Sequence, residues 1–327
     1  MIKLEFNTSK NLLAFSAGID SSALFFILLE NNIPFDLAIV DYNVREQSKN
    51  EILYAQELAL KYNKKCFVKN VFLDNNSNFE QEARNIRYTF FEELVSTHAY
   101  QRLFTAHQLN DKLEWFLMQF SKGAGLLEIL GINENEKKEN YYLTRPLLNV
   151  SKKSLLEYLD KNSLKYFIDE SNLSSLYTRN KMRHEFSTSF LNKYEKGVIQ
   201  SFSYLHNDLS SLKINKEALF KEKDLEIFRN LNDDNLNIRI IDYSLKKRGL
   251  LLSKKQRDEI LMQKELVVSH YFSIAIKERF IYIAKETKET MPKKFKEKCR
   301  VLKIPVNIRA YIYKENISLE NILKSLT

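Results

Sequence analysis

The sequence has few of the residues that mark metal-clustered, disulfide-rich or membrane-spanning proteins. Of 327 residues only two are cysteines, Cys66 and Cys299, and they form no CxxC pair, which excludes a zinc ribbon and an iron–sulfur ligand pattern. No apolar run approaches the roughly 20 residues of a membrane helix. The first ten residues lack the charged-then-apolar pattern of a signal peptide. We therefore expect a cytoplasmic protein with reduced thiols and no membrane partner.

The first part of the chain has no excess of basic over acidic residues. Residues 1–150 carry 16 Lys and Arg against 19 Asp and Glu, whereas residues 151–327 carry 35 against 23. An AT-rich genome would enrich lysine along the whole chain, so it does not explain this asymmetry. The second half is therefore predicted to contact an acidic polymer, with nucleic acid as the favoured partner.

Short apolar runs alternate with helical periodicity over the first 110 residues. The apolar runs predict strands and the periodic stretches predict helices. Continuous apolar strands that alternate with helices indicate an α/β fold, a parallel sheet with helices on both faces. The predicted strands are Asn11–Phe15, Leu37–Asp41, Cys66–Val71 and Arg102–Ala106, and the helices are Ser22–Glu30, Ser48–Tyr62 and Phe79–Thr97. Ligands of such sheets bind at the carboxyl ends of strands, here after the first, second and fourth.

The pattern changes beyond about residue 150. A helix with a serine N-cap is expected at Ser151–Asn162, and the charged stretch Asn133–Asn140 before it reads as an exposed loop. Amphipathic helices are predicted at 192–212, 216–230 and 234–248, and a small sheet at 266–284 and 300–314. We expect three segments: a catalytic domain over 1–185, a helical region over 186–265 and a small mixed, β-containing domain over 266–327.

The segment after the first strand is S-A-G-I-D-S, Ser16 to Ser21, and it leads straight into a helix. Small residues at a helix N-terminus expose backbone N–H groups to an anion, and the helix dipole favours the negative charge. Gly18 is expected to supply a positive φ. The loop lacks the GK[ST] ending of a Walker A motif. Asp20 offers a carboxylate to a Mg²⁺ ion that bridges phosphates; an ordinary helix N-cap is the structural alternative.

The loop resembles the SGGxDS signature of the ATP pyrophosphatases, with Ala17 in place of the first glycine, at little cost where φ is negative. Further blocks follow, and in this order they resemble the tRNA(Ile)-lysidine synthetase family over residues 10–185. These blocks are VDYNVREQS (40–48), EQEARNIRY (80–88), AHQLNDKLEW (106–115), KGAGL (122–126), RPLLNVS (145–151), YFIDESN (166–172) and YTRNKMRH (177–184). The resemblance implies an adenine nucleotide alpha hydrolase-like fold.

The resemblance also implies a reaction. ATP adenylates the C2 carbonyl oxygen of the wobble cytidine in an isoleucine tRNA with a CAU anticodon, and free L-lysine then displaces AMP to give lysidine. ATP and Mg²⁺ are the implied cofactors, with the nucleotide held by Ser16, Ala17, Gly18, Ile19, Asp20 and Ser21 together with His107. Asp20, Asp111 and His107 are the implied catalytic residues, and Asp20 is the implied metal ligand. The sequence leaves a homodimer open.

The substrate lysine needs carboxylates for its ammonium groups and a cation for its carboxylate. The resemblance implies Asp111, Glu114 and Arg87 for these roles, since a guanidinium fork suits a carboxylate. Asp111 and Glu114 are three residues apart and share a helical face. Their alternatives are helix N-terminal charges for the acids and a surface ion pair for Arg87. The sequence departs from the family's HHxxDxxET-like pattern at Gln108, Asn110 and Trp115.

Basic clusters are the candidate tRNA contacts. Arg179 and Arg183 lie four residues apart in the block that resembles YxRNxxRH, and one helical face would present both to phosphate or to the edge of the active site. Lys293, Lys294 and Lys296 surround an aromatic residue in the basic second half. For each cluster the alternative is a solvated basic face.

Three other functions compete. A thiolase-type tRNA-modifying ATP pyrophosphatase would use cysteine motifs that do not occur here. An amidotransferase-type synthetase would need a route for ammonia. A catalytically lapsed tRNA-binding protein would fit Ala17, Gln108 and Asn110, but the retained Asp20, Arg87, Asp111 and Glu114 argue against it.

Overall fold

The computed structural model describes residues 4, 6, 10–43, 47–73, 79–168, 181–212 and 217–326, apart from the side chains of Glu80 and His184. The chain divides into two compact units, Met1–Leu209 and Ser210–Thr327. In the described part of the chain no helix is both long and apolar enough to cross a membrane.

The first unit alternates strands and helices. Its elements in chain order are β1 (Asn11–Ala14), α1 (Ile19–Glu30), β2 (Asp36–Asp41), α2 (Gln47–Lys61), β3 (Cys66–Asn70), α3 (Phe79–His98), β4 (Arg102–Phe104), α4 (Leu109–Phe120), α5 (Leu126–Ile129), β5 (Asn135–Lys137), β6 (Tyr142–Thr144), α6 (Lys152–Lys161), a π-helical turn (Arg183–Ser187) and α7 (Thr188–Ser211).

These strands form one six-stranded sheet in the order β3-β2-β1-β4-β6-β5. Five of them are parallel, and only the edge strand β5 runs antiparallel to its neighbour β6. The predicted α/β class is confirmed, whereas the charged stretch 133–140, predicted as a loop, contains β5. From β1 the chain winds outward to β3 on one side and then crosses to β4 on the other, so the topological switch point lies between β1 and β4.

Both faces of this sheet are covered. Leu13 and Leu37 pack with α1, α2 and α6 on one face, while Leu12 and Leu103 pack with Phe91 of α3 on the other. The central strands β1, β2 and β4 are thus apolar on both sides, which is why their sequences read as continuous apolar runs rather than alternating ones. As predicted, α6 begins after a serine N-cap, Ser151, whose side chain accepts a hydrogen bond from the Ser154 N–H.

The second unit contains an antiparallel sheet with helices against it. Its elements are β7 (Phe220–Glu222), β8 (Leu225–Arg229), α8 (Asp234–Lys247), α9 (Lys254–Gln263), β9 (Glu265–Val268), β10 (Phe272–Ile276), β11 (Phe280–Lys285), α10 (Lys293–Val301), α11 (Val306–Lys314) and α12 (Leu319–Leu326), and the strand order is β7-β8-β11-β10-β9.

The predicted secondary structure is wrong for two segments of this unit. Residues 216–230 were expected to be a helix but form β7 and β8, because Leu225 and Ile227 face one apolar core and Phe228 faces another across the sheet. Residues 300–314, expected to be strands, lie mostly in helices. Pro305 precedes α11, where proline favours a helix start, and Ile308, Tyr311 and Ile312 are buried at helical spacing.

The observed division also differs from the predicted segments. A boundary at 265 would separate β7 and β8 from the three strands with which they share a sheet. A boundary at 185 would fall inside the π-helical turn, whereas α7 continues beyond it and packs through Leu191 and Phe202 against Leu109 and Leu113 of α4. Hydrophobic contact therefore extends the first unit to about residue 209.

Candidate active site

The loop after β1 turns into α1 at the switch point between β1 and β4. Its backbone has a left-handed residue, but that residue is Ala17, with φ of 57°, whereas Gly18 has φ of −74° and ψ of 172°. The expectation that Gly18 supplies the positive φ and that Ala17 keeps a negative one is therefore wrong. A non-glycine residue in this region costs roughly 1–2 kcal/mol, and the full burial of the Ala17 methyl group offsets part of that cost.

Serine hydroxyls brace the loop from inside. Ser21 Oγ lies 3.1 Å from Ser16 Oγ and 3.2 Å from the carbonyl of Gly18, and it accepts from the Ser16 N–H at 3.2 Å. Ser22 Oγ donates to the Ala17 carbonyl at 3.1 Å and is fully buried. The Phe167 N–H donates to the same carbonyl at 2.9 Å. Ser16 is the exposed hydroxyl of the loop, while Ser22 has a structural role that the sequence did not indicate.

Asp20 lies in the first turn of α1 and has an unusual environment. Burial and the neighbouring carboxylate of Asp111 raise its pKa from 3.8 to about 7, against the opposing effects of Lys152 and Arg183. One of its oxygens, Oδ1, is buried without a hydrogen-bond partner among the described residues. A buried carboxylate oxygen of this kind fits a hard cation such as Mg²⁺, which needs only one or two protein carboxylates when phosphates complete its ligands.

No cluster of three or more His, Cys, Asp or Glu side chains suited to a metal occurs in the part of the chain that the structure describes.

The N-terminus of α4 lies beside this loop, after β4. Gln108 is the N-cap: its side chain accepts from the Asn110 N–H at 2.5 Å, and Asp111 Oδ2 accepts from the Gln108 N–H at 3.0 Å. Asn110 Oδ1 accepts from the Lys152 N–H at 3.1 Å and so joins α4 to the start of α6. Gln108 and Asn110, which depart from the family pattern, thus hold the backbone around Asp111 in place.

Arg183 reaches the N-terminal part of α4 from a distant part of the sequence, 69 residues after Glu114. Its guanidinium contacts Glu114 through two hydrogen bonds of 2.8 and 3.1 Å, and it lies 3.7 Å from Asp111 Oδ1. The Glu114 side chain is fully buried, and the Arg183 side chain is 18% exposed. A guanidinium fork on a buried carboxylate is among the strong charged contacts of proteins. Arg183 thus lies beside Asp111 and Glu114, which is the second of the two positions expected for it from the sequence, the edge of the active site.

The remaining predicted residues are distributed around the cluster. His107 follows β4, and its Nδ1 lies 3.0 Å from Thr105 Oγ1. Arg87 is exposed on α3, where its guanidinium neighbours the Tyr42 hydroxyl after β2 and opposes the burial that raises the pKa of Tyr42 to about 12. Arg179 lies outside the described residues. Gly123, with φ of 71°, ends α4, which matches a helix C-cap.

Lys152 is a site residue that the motif search missed. It is the first residue of α6, and its charge lowers the pKa of Asp20. The available signal was its place directly after the RPLLNVS block and the N-cap Ser151. The cluster thus contains three carboxylates, of Asp20, Asp111 and Glu114, and two cations, of Lys152 and Arg183.

The predicted C-terminal tRNA residues lie in the second unit. Lys293, Lys294 and Lys296 are exposed in the first turns of α10, while Phe295 between them packs on Tyr313 with ring centroids 5.0 Å apart. Residues 210–327 carry 26 Lys and Arg against 16 Asp and Glu, whereas residues 1–209 carry 25 against 26. The whole basic excess therefore belongs to the second unit.

Comparisons with known proteins identify the family of the chain. Residues 2–189 match the family model of the PP-loop domain. The chain is 43% identical to the tRNA(Ile)-lysidine synthase of Campylobacter jejuni strain RM1221 over 314 residues, which cover 96% of this chain and 95% of that protein. It is 40% identical to the protein of the same name from Wolinella succinogenes, with 94% of each chain covered.

Among solved structures, the fold resembles the U34-tRNA thiolase NcsA of Methanococcus maripaludis. The TM-score is 0.50 and the identity 19%, and the match covers 62% of this chain and 72% of that one. At this identity the likeness concerns the fold alone. The family model covers more than half of the chain, and the relatives are matched almost end to end. The chain therefore belongs to the tRNA(Ile)-lysidine synthase family.

Proposed function

We propose that this protein joins free L-lysine to C2 of the wobble cytidine of an isoleucine tRNA with a CAU anticodon, through an adenylated intermediate. Its family membership makes it a tRNA-modifying ligase that uses ATP. The observation that carries the finer proposal is the ion pair of Arg183 with the buried Glu114 beside Asp111, at the end of the sheet where Asp20 lies in the first turn of α1.

The nucleotide side of the site is the loop 16–21 with His107. Backbone N–H groups at the start of α1 point toward the place of the phosphates, and the helix dipole stabilises their charge. Asp20 would hold Mg²⁺, which when bound neutralises charge that develops on the departing pyrophosphate. Lys152 adds a cation from the facing end of α6. Adenylation makes C2 attackable because AMP is a far better leaving group than oxide.

The lysine side of the site is the pair of carboxylates on α4. Asp111 Oδ1 lies 3.7 Å from the guanidinium that hydrogen-bonds Glu114, and its carboxylate has the charge that an ammonium group of the substrate requires. The positive charge of Arg183 offsets the cost of burying the negative charge of Glu114. Arg87, exposed on α3, is the proposed partner of the lysine carboxylate.

The thiolase-type alternative finds no support in the thiols. Cys66 and Cys299 lie in different units. Burial raises the pKa of the Cys66 thiol to about 11 and that of Cys299 above its usual value. Neither thiol is therefore ionised near neutral pH, and thiolate is the reactive form.

The decisive experiment supplies ATP, Mg²⁺, radiolabelled lysine and a tRNA with a CAU anticodon. We expect label in the tRNA, and none when the wobble cytidine is replaced by uridine. Absence of lysine-dependent label would contradict the proposal. A second reaction uses ATP labelled at the α-phosphate and omits lysine. The adenylated intermediate should then accumulate, and it would be detected as label on the tRNA.

Asp111→Ala separates the two steps. We expect it to abolish lysine incorporation but to keep the transfer of AMP to tRNA, because the variant removes the ammonium partner and leaves the phosphate loop intact. Glu139→Gln, at an exposed position, is the matched control and should behave as the wild type. Full lysine incorporation by Asp111→Ala would remove this residue from the site.

A further inference from the structure

A cavity of about 290 Å³ lies wholly within the second unit. It is lined by Arg248, Gly249, Leu250, Tyr271, Phe272 and Lys285. The lining combines two cations, Arg248 and Lys285, with two aromatic residues, Tyr271 and Phe272. Cations beside an exposed aromatic ring such as Tyr271 are typical of sites for single-stranded nucleic acid.

The floor of the cavity is rigid. Arg248 is fixed by an ion pair with Glu226 at 3.0 Å and by donation to the Asp224 carbonyl at 2.8 Å, and its guanidinium lies 5.5 Å from the centre of the Phe272 ring. Glu226 is also held by Ser244, at 2.5 Å. Because Arg248 is held on several sides, its geometry is set before any ligand arrives.

Tyr271 stands at the rim on a fixed backbone. Its N–H donates to the Val268 carbonyl at 3.0 Å, and its carbonyl accepts from the Glu286 N–H at 2.7 Å. Its side chain is nevertheless 65% exposed. A large aromatic ring that is carried on a fixed backbone and is open to solvent offers a face on which a base can stack.

Lys285 supplies a cation next to this ring. It ends β11 directly opposite Phe272 in the register of the sheet, and its side chain is exposed. Its nearby acidic residue, Glu315, is itself paired with Lys223 at 2.8 Å. The ammonium of Lys285 is therefore suited to a phosphate at the rim. Gly249, with φ of 80°, ends α8 there and leaves the cavity wall without a side chain.

We propose that this cavity takes one unpaired nucleotide of the substrate tRNA, with its base stacked on Tyr271 and its phosphate beside Lys285. The proposal rests on the proposed function for the identity of the RNA. An unpaired nucleotide fits better than a paired one, because only a base freed from its helix exposes a face to an aromatic side chain. The size of the cavity limits the site to a single nucleotide.

The test measures the dissociation constant of the full-length protein for a transcribed tRNA with a CAU anticodon. Tyr271→Ala should weaken binding about tenfold, in the range found for loss of one stacking contact, whereas Tyr271→Phe should bind within about twofold of the wild type. Lys285→Ala should weaken binding and lower the slope of log Kd against log salt by about one. Met262→Ala, at a position 77% exposed on α9, is the control for loss of exposed apolar surface.

Two outcomes would overturn the proposal. One is wild-type affinity in Tyr271→Ala, and the other is an equal loss in Tyr271→Phe and Tyr271→Ala, since the ring and not the hydroxyl makes the stack. A photo-crosslinking residue placed at 271 should in addition mark an unpaired nucleotide, and crosslinks confined to base-paired stems would contradict it. If the wild-type protein binds this tRNA but transfers no lysine, the proposed reaction is contradicted. The nucleotide site would then still be decided by the dissociation constants of the Tyr271 and Lys285 variants.

Discussion

Asp20→Asn should make the ligand-free protein more stable at neutral pH while it removes activity. The pKa of Asp20 is raised from 3.8 to about 7 by burial and by Asp111. A carboxyl whose pKa is raised in the folded state favours folding most below its unfolded pKa, near pH 4. That contribution is lost as the pH rises toward 7, because the folded protein must then either hold a buried charge or keep a proton.

The magnitude follows from the size of the shift. About three pKa units at 1.36 kcal/mol each correspond to an upper limit of about 4 kcal/mol, and relaxation of the site makes about 2–4 kcal/mol a realistic range. Asparagine resembles the protonated form, so the stability gain should be near zero at pH 4, rise between pH 4 and 7, and stay level above pH 7.

The assay is urea unfolding at several pH values in the presence of EDTA, followed by tryptophan fluorescence. The chain has one tryptophan, Trp115, whose Nε1 donates to the Glu128 carbonyl at 2.8 Å within the first unit. The signal therefore reports on the unit that contains Asp20, which avoids the problem that two units need not unfold together. Glu139→Gln, at an exposed position, should change stability by less than about 0.5 kcal/mol at every pH.

Destabilisation of Asp20→Asn at pH 8, or a gain of equal size at pH 4 and pH 8, would refute this reasoning. Mg²⁺ together with ATP should stabilise the wild type more than the variant, because the ligands bind the charged carboxylate that the variant lacks. In the reaction assay the variant should show neither AMP transfer nor lysine incorporation.

Three further predictions concern the loop, the buried ion pair and the basic helix. Gly18→Ala should keep or slightly raise the free energy of unfolding, because φ at this residue is −74° and the nearest atom to a new Cβ lies 3.6 Å away. The same variant should bind ATP more weakly in calorimetry, because the added methyl group lies where phosphate approaches the backbone. Unchanged ATP affinity would contradict this close approach. Arg183→Met should lower the free energy of unfolding by about 3–5 kcal/mol, since the buried Glu114 carboxylate loses its guanidinium partner, and adding Glu114→Leu should restore stability but not lysine incorporation. Restored lysine incorporation in the double variant would show that the pair is purely structural. Reversal of charge at Lys293, Lys294 and Lys296 should weaken tRNA binding at least tenfold and leave the KM for ATP unchanged, and an equal effect on both would contradict the placement of tRNA contacts on α10.

Most of the first unit follows from local pattern. Continuous apolar runs such as Leu37–Asp41 marked the strands, and the small-residue turn before α1 marked the phosphate loop, because both depend on a few neighbouring residues. The secondary structure of the second unit was predicted less well from local pattern. At 220–229 and 300–314, helix and strand patterns are both compatible with the sequence, and burial within two separate cores decided between them.

The sequence by itself determined the α/β class and the family blocks that contain Asp20, Asp111 and Glu114, and it predicted the place of the phosphate loop. Only the tertiary structure decided that Ala17 rather than Gly18 takes the left-handed conformation, because Phe167, far along the chain, donates to the Ala17 carbonyl. It also decided that Arg183 pairs with Glu114 across 69 residues and that burial and Asp111 raise the pKa of Asp20 against the opposing charge of Lys152. Such charges interact through distance and burial, which neighbouring positions in a sequence do not specify.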